Sequence, residues 1–432
     1  MLALIFSATT ESLGQNVIFK NQTDQPLLKY LDTSVRVDGK RINIFIGPID
    51  KFSHNTIFFN KPFVISNSTI DTIRIKGAFL QHITFTNCTF TLPIVIDTTN
   101  FDTLFISQSN IKHLLDLHNT RVRDFRLTQN NLPQTVSLSE CSVDFFAADH
   151  SIFPENFSII NSTIKNLSFK KTSFMGILNL SKNSIINIVK FDSSIFDKNL
   201  NLSYLDTTVQ PQFSFLNVIL PDTLDLSYNY NLQYPIDLTK VNTFEKRKKC
   251  KILLYRTAIE KINLDYFYFR LIFPPGLSKD ETIAQYENLL QNFKSRNYLE
   301  SYKLLDIEYR EYKTQQETPF WWVSKLWSNY GYAPARVFYW VGIFLILFSF
   351  MNSMFLNTLL NKVYRIEFVP TLNNKSYWPR FWASVIYTAA IFFTLPIKWE
   401  KINFKNILGT LYLFFQFSIG MVCLWYIGKF IL

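Results

Sequence analysis

Three uncharged stretches in the last hundred residues constrain this chain more than any other feature. Val337–Leu356 and the residues between Lys405 and Lys429 are each long enough for a helix to cross ~30 Å of hydrocarbon at 1.5 Å per residue. Phe381–Ile397 lies between them and is shorter, which suits a half-buried or re-entrant helix. The sequence therefore predicts an integral membrane protein with two spans and a short helix between them.

The end of the short stretch resembles the selectivity filter of two-helix potassium channels, which reads Thr-Leu/Val-Gly-Tyr-Gly-Asp. Thr394 and Leu395 match its first two positions, whereas Pro396, Ile397 and Lys398 depart from it. Filter glycines let carbonyl groups turn toward the ion, proline fixes φ, and a lysine places a cation in a cation path. The resemblance implies a channel-like module with an ancestral role in ion transport and four-fold assembly. The departures predict that this filter is not selective for potassium.

A short pattern recurs thirteen times between Phe63 and Phe196. It consists of apolar-x-apolar, a small or short polar residue three positions later, and a large apolar residue two beyond that. Two copies make a turn of about 21 residues, and such a period with inward residues two apart is typical of a solenoid. The small position carries Ser68, Ala78, Cys88, Thr99, Ser109, Thr120, Asn130, Cys141, His150, Ser162, Thr172, Asn183 and Ser194.

This phase resembles the pentapeptide-repeat family over residues 60–232, with looser copies at Leu200, Phe213 and Leu224. The resemblance implies a right-handed quadrilateral β-helix, followed here by a helical connector and an α-helical membrane domain. From Phe63 to Leu226 we expect about eight turns of about 21 residues. Some members of that family are acidic rods that mimic DNA, but the mixed charge of this rod does not support such a role.

The same period assigns residues that could otherwise suggest a reactive or modified site. Cys88 and Cys141 fall on opposite walls, too far apart for a disulfide, and His150 is predicted to be a hydrogen-bonded core residue. Asn-x-Ser/Thr triplets in the rod are predicted turns rather than glycosylation sites. The sequence has no phosphate loop, nucleophile elbow, metal spacing or spaced carboxylate pair, so we predict neither an enzyme nor a cofactor.

The middle of the chain predicts a helical connector. Lys246–Lys251 is a basic segment, either solvated or in contact with anionic lipid or a partner. Ser278-Lys-Asp-Glu281 predicts a capping box, and two apolar stripes after it predict two amphipathic helices of roughly 15 residues. The Trp and Tyr residues between Phe320 and Arg336 fit the headgroup belt of a membrane. This stretch resembles the connector between pentapeptide-repeat rods and channel-like modules in bacterial membrane proteins.

The predicted organisation has four parts. They are a signal-like N-terminus over 1–16, a β-helix over 17–242, a basic linker and helical connector over 243–335, and a channel-like module over 336–432 with a pore-helix-like segment at 381–397. An ordinary chain terminus is the alternative interpretation of the first part. The predicted partners are the lipid bilayer, three further copies in a homotetramer, and a protein or cell-wall partner of the β-helix. Nucleic acid is not expected, because the net charge of +11 fits anionic lipid.

Two functions remain open from the sequence. The first is a multi-pass membrane protein that transports ions. The alternative is a membrane-anchored β-helical scaffold or binding protein with a vestigial, non-conducting pore. Basic residues between the long stretches predict that this loop is cytoplasmic and the β-helix extracytoplasmic, whereas the topology of potassium channels predicts the reverse.

Overall fold

The computed structural model describes most of the chain and divides it into two compact units, Met1–Leu305 and Asp306–Leu432. The described residues are 2–7, 15–20, 35–39, 41–46, 57–59, 62–132, 134–205, 211–241, 248–317, 321–366, 369, 377–393 and 402–431. The first two residues of the predicted basic segment, Lys246 and Arg247, and all of the predicted filter-like segment lie outside these ranges.

The first unit is a β-solenoid of about nine turns over residues 63–272. Strands of successive turns pair in parallel and form ladders along it, and strands near the N-terminus extend two of these ladders. The longest ladder runs β1 (Leu2–Ser7), β2 (Gln15–Lys20), β4 (Arg41–Ile46), β7 (Thr69–Lys76), β10 (Ile94–Asp97), β13 (Leu115–His118), β15 (Val136–Ser139), β18 (Phe157–Ile160), β21 (Leu178–Asn179), β24 (Asn199–Asn201), β26 (Thr223–Asp225), β28 (Cys250–Leu253) and β30 (Phe269–Ile272), with β9 (Thr89–Phe90) and β12 (Asn110–Ile111) beside it.

Three further ladders complete the strands of the described part of the chain. The second runs β25 (Gln212–Ser214), β22 (Ser184–Lys190), β19 (Thr163–Ser168), β16 (Ser142–Ala147), β14 (Arg121–Thr128), β11 (Asn100–Ser107), β8 (Ala78–Thr86), β6 (Phe63–Ser66) and β3 (Val35–Asp38), with β5 (Ile57–Phe59) on β8. The others are β17 (Ile152–Phe153) with β20 (Ser173–Phe174) and β23 (Ile195–Phe196), and β27 (Ile236–Asp237) with β29 (Ile262–Asn263). All pairs are parallel except β1 with β2.

Alternation of inward and outward side chains explains why these residues form a solenoid. Each turn buries pairs of residues two apart, as a strand dictates. In the turn that begins at Ile94 the pairs are Ile94 and Ile96, Thr99 and Phe101, Leu104 and Ile106, and Ser109 and Ile111. Because successive turns are in register, equivalent rings lie over one another. Phe174 stacks on Phe153 and on Phe196, with ring centroids 5.1 Å apart in both pairs.

The predicted small positions are buried, with one exception. His150 is exposed and has a φ of +58°, so its prediction as a core residue was wrong. The inward residue is Ser151, whose Oγ donates to the carbonyl of Leu127 at 2.6 Å. The error has a physical origin: Phe145 and Phe146 are both large and apolar, but it is Phe146 that points inward, which shifts this copy by one residue.

Residues with a left-handed backbone precede the inward small residues and turn the chain at the corners. Asparagine tolerates this conformation well, and Asn67, Asn87 and Asn161 adopt it, which agrees with their prediction as turn residues. Asn166, Asn179 and Asn201 of the same triplets lie in strands β19, β21 and β24, so for them that prediction was wrong. Cys88 and Cys141 are buried and free, as predicted.

The solenoid extends past residue 242, the end of the predicted β-helix, through β28 and β30 to Ile272. Helix α1 (Lys279–Ser295) then packs against the end of the solenoid, where its Asn292 donates to the carbonyl of Ile259 at 2.8 Å. The predicted capping box of Ser278 and Glu281 is confirmed at the start of α1. The second predicted amphipathic helix is α2 (Leu299–Glu317).

The second unit is mostly helical where it is described. After α2 come α3 (Trp321–Ser328), α4 (Arg336–Phe355), a π-helical turn at Leu356–Leu360, α5 (Asn361–Val363), α6 (Tyr377–Phe392) and α7 (Ile407–Ile431). Among the described residues, α4 and the Ile407–Gly428 part of α7 are long and apolar enough to cross a membrane. At 16 residues α6 is shorter, so the predicted order of long, short and long helices is confirmed.

Candidate functional site

The residues predicted to form a filter follow directly after α6. This helix ends at Phe392, and Phe393 still donates a hydrogen bond to the carbonyl of Ala389. Thr394, Leu395, Pro396, Ile397 and Lys398 lie outside the described residues. The structure therefore describes α6, which leads into the predicted site, and the helices α4 and α7 that pack against α6.

A buried polar cluster joins α4, α6 and α7. Its centre is Asn352, which is fully buried and donates from Nδ2 to the Thr388 hydroxyl at 2.8 Å and to Gln416 Oε1 at 3.1 Å. Tyr412 donates its hydroxyl to Asn352 Oδ1 at 2.8 Å, and Gln416 Nε2 donates to the carbonyl of Thr388 at 3.3 Å. Side chains from all three helices thus meet at Asn352, whose amide bonds to Thr388 of α6 and to Tyr412 and Gln416 of α7.

Further polar contacts hold α6 along its buried face. The Ser384 hydroxyl donates to the carbonyl of Ser349 on α4 at 2.7 Å. The Tyr387 hydroxyl donates to the carbonyl of Tyr364, just after α5, at 3.0 Å. Both residues are fully buried, and a buried hydroxyl without a partner costs free energy. These bonds therefore fix both the rotation of α6 and its position along α4.

Two glycines of α7 allow its neighbours to approach closely. A Cβ built on Gly420 would lie 2.2 Å from the carbonyl oxygen of Phe392, at the end of α6. A Cβ on Gly409 would lie 2.7 Å from Val363 Cγ2, at the end of α5. In a membrane, apolar burial gives no net attraction between helices. Small residues at the contacts instead allow the helices to pack closely. Gly420 thus lets α7 support the end of α6, directly before the predicted filter-like segment, and Gly409 lets α7 approach the end of α5.

The outward faces of α4 and α7 are apolar over most of their length. Only 33% of the most apolar stretch of each helix is buried. The exposed apolar side chains of α4 are Phe338, Tyr339, Ile343, Ile346, Leu347, Phe350, Met351, Met354 and Phe355, and those of α7 are Ile407, Leu408, Leu411, Phe415, Met421, Val422 and Trp425. Contiguous apolar surface of this extent is unusual on a monomeric soluble protein.

Polar contacts also link the connector to the helical bundle. Buried Asp306 on α2 accepts from Arg310 Nε at 2.7 Å and from the Tyr332 hydroxyl at 2.7 Å. Glu311 accepts from Lys325 on α3 at 2.6 Å. The Trp327 ring lies parallel to the Trp340 ring of α4, with centroids 6.3 Å apart. The end of α2 is therefore tied to the segment that leads into α4.

The cluster consists of amide and hydroxyl groups, so it can position neighbouring groups by hydrogen bonds. No group of three His, Cys, Asp or Glu residues suited to a metal ion occurs among the described residues. Sequence reasoning missed Asn352, Thr388 and Gln416. The signal was present, because each uncharged stretch holds a polar residue amid apolar neighbours, and such residues in a membrane stretch mark candidate functional positions.

Comparisons with known proteins found no relative of this chain. No family model, no curated protein and no solved structure matches the chain.

Proposed function

We propose that the chain is an integral membrane protein whose second unit is a two-span module for ion transport that works as a homotetramer. One observation carries the proposal. A 16-residue helix lies between two membrane-length helices, bonds to both at Asn352 and Gln416, and leads directly into Thr394–Lys398. Irregular backbone at membrane depth requires a helical scaffold or a water-filled cavity around it. The bonded α6 supplies such a scaffold.

The membrane location is supported by the surface of α4 and α7. A soluble protein would have to expose their outward faces to water, whereas a bilayer would cover them. Exposed Trp322 of α3 fits the headgroup region, because Trp and Tyr are enriched there.

The filter-like segment does not select an ion in the way that potassium channels do. Pro396 and Lys398 occupy positions where that family has carbonyl-lining residues. Proline cannot adopt the backbone of a filter glycine, and a lysine ammonium repels cations. The purified protein in planar bilayers should give a current without potassium selectivity. A potassium-selective current would overturn this part of the proposal.

A charge change tests whether the filter-like segment lines the path. Lys398→Glu should shift the reversal potential in asymmetric salt toward the cation, because a repelling charge becomes an attracting one. Lys405→Glu is the matched control, since Lys405 is exposed at the start of α7 and outside that segment. Equal shifts for both variants would exclude Lys398 from the path.

The second candidate is a membrane-anchored scaffold with a vestigial pore. It is favoured by the size of the solenoid, whose polar residues are arranged along a long, regular surface. Folded and oligomeric protein that gives no current under any ionic condition would decide for this candidate.

A further inference from the structure

One corner of the solenoid forms an open polar groove of about 360 Å³. We call it the Tyr204 groove; its lining residues are Asn161, Ser162, Thr163, Lys182, Asn183, Ser184 and Tyr204. Its size falls within the usual range of small-molecule sites, but its lining is mostly polar. A ligand that fills it must therefore offer many hydrogen-bonding groups.

The floor of the groove is rigid. The buried side chain of Asn183 donates to the carbonyls of Ile159 and Leu180 at 2.6 and 2.9 Å and accepts from the Ser162 amide at 2.8 Å. Ser162 in turn donates to the carbonyl of Ile160 at 3.0 Å. The hydrogen-bonding groups of the floor are therefore bonded to the backbone. A ligand would bond to the exposed side chains of the rim.

One end of the groove is closed by an aromatic ring. Tyr204 is 48% exposed, and one turn further along Tyr228 stacks on it with centroids 4.1 Å apart and planes within 13°. A hydrogen bond to Tyr228 raises the pKa of Tyr204, so the Tyr204 phenol is neutral at physiological pH. Because Lys182 belongs to the turn before and Tyr228 to the turn after, the face of Tyr204 opposite Tyr228 lies toward the groove.

The backbone at Tyr204 is unusual for so large a residue. Its φ is +53°, and that of Tyr228 is +61°. The same corner position in earlier turns carries smaller or flexible polar side chains: Thr98, Asn119, Glu140, Asn161 and Lys182. A bulky side chain in this region is disfavoured, and such strain concentrates at binding sites. Half-exposed Tyr204 gains little from burial, and its stack on Tyr228 holds the ring beside the groove.

We infer that the Tyr204 groove binds a pyranose ring of a glycan, with a preference for sugars that carry a carboxylate. The ring would lie with its C–H face on Tyr204, since an aromatic face offers apolar area at a fixed orientation. The Asn161 amide and the Thr163 and Ser184 hydroxyls both donate and accept, which matches sugar hydroxyls. Lys182 supplies the charge that favours an acidic sugar. The inference is independent of whether the second unit conducts ions.

Single-stranded nucleic acid is the competing ligand for an aromatic ring beside a lysine. Such binding requires a positively charged groove along the backbone and several stacking rings. The Tyr204 groove has one cationic side chain, Lys182, and one uncovered ring in its lining. The balance of groups therefore favours a sugar.

The test is a binding titration of the full chain in detergent, with polygalacturonate as the acidic probe, chitohexaose as the neutral probe and single-stranded DNA as the competitor. We expect binding of both sugars, tighter for the acidic one. Tyr204→Ala should weaken both at least tenfold. Tyr234→Ala is the control, because Tyr234 is equally exposed (46%) and outside the groove. Lys182→Gln should remove the preference for the acidic sugar and leave the neutral one bound.

Three outcomes would overturn the inference. They are binding of neither sugar, equal loss in Tyr204→Ala and Tyr234→Ala, and tighter binding of DNA that Lys182→Gln abolishes. Tyr204→Phe, which keeps the ring, should still bind both sugars. The thermal unfolding of each variant in the same detergent separates lost binding from lost structure.

Discussion

At the scale of single residues, the solenoid depends on what each inward position contributes. Large inward residues form a continuous apolar column, whereas small polar ones bond the backbones of neighbouring turns. Asn130, for example, accepts from the Ser109 amide at 2.8 Å and donates to the carbonyl of Ile106 at 2.7 Å. A buried polar side chain is tolerated here because every corner offers it backbone partners. The two kinds of inward residue are therefore not interchangeable.

Removal of an inward ring should destabilise the solenoid far more than removal of its outward neighbour. Phe174→Ala leaves a cavity among Phe153, Phe169 and Phe196 and should lower the free energy of unfolding by about 3–5 kcal/mol. Met175→Ala, at a 44% exposed position, should cost little. Thermal unfolding followed by circular dichroism measures both. Similar losses would contradict the assignment of inward positions.

The buried thiol of Cys141 should make stability depend on alkaline pH. Burial raises its pKa from 9.0 to about 11, so the unfolded chain releases this proton before the folded chain does. The stability from this group is present below about pH 9 and is lost toward about pH 11. The melting temperature of the native chain should thus fall more over this range than that of Cys141→Ala. A parallel decline in both proteins would rule out this contribution.

At the scale of elements, the sequence predicted those features that depend on local spacing. The turns, the capping box at Ser278 and the lengths of the apolar helices all follow from periodicity or composition. The end of the solenoid did not, because Leu224 pairs with Ile252, 28 residues on, which breaks the 21-residue spacing. The meeting of Asn352, Thr388 and Gln416 was also missed, since the rotation of one helix against another is set by packing rather than by spacing.

A glycine substitution tests the packing of α6 on α7. Gly420→Ala would place a Cβ 2.2 Å from the Phe392 carbonyl oxygen, so α6 must move or the helices must separate. Gly428→Ala is the matched control, because it lies in the same helix and a Cβ there meets nothing within 4 Å. We expect a lower melting temperature in detergent for the first variant alone. Equal melting temperatures would show that α6 and α7 do not pack closely at this point.

At the scale of the whole molecule, the unresolved conflict is which side of the membrane holds the solenoid. The segment between the two long helices contains seven basic residues: Lys362, Arg365, Lys375, Arg380, Lys398, Lys401 and Lys405. Near the opposite ends of the spans the basic residues are Lys325, Arg336 and Lys429. Positive residues accumulate on the cytoplasmic side, so this bias favours a solenoid outside the cytoplasm. The channel resemblance favours a solenoid inside it.

We predict an extracytoplasmic solenoid, because basic residues in short loops next to the spans set their orientation. The filter that would require channel topology has lost its glycines. Protease added to intact spheroplasts should then digest the solenoid and spare the segment between α4 and α7. A second experiment moves basic residues from one end of the spans to the other. Replacing Lys362, Arg365 and Lys375 with glutamine, and adding three lysines before Arg336, should place the solenoid inside for a fraction of the molecules. Full protection of the native solenoid, with cleavage only after lysis, would instead establish channel topology and a cytoplasmic solenoid.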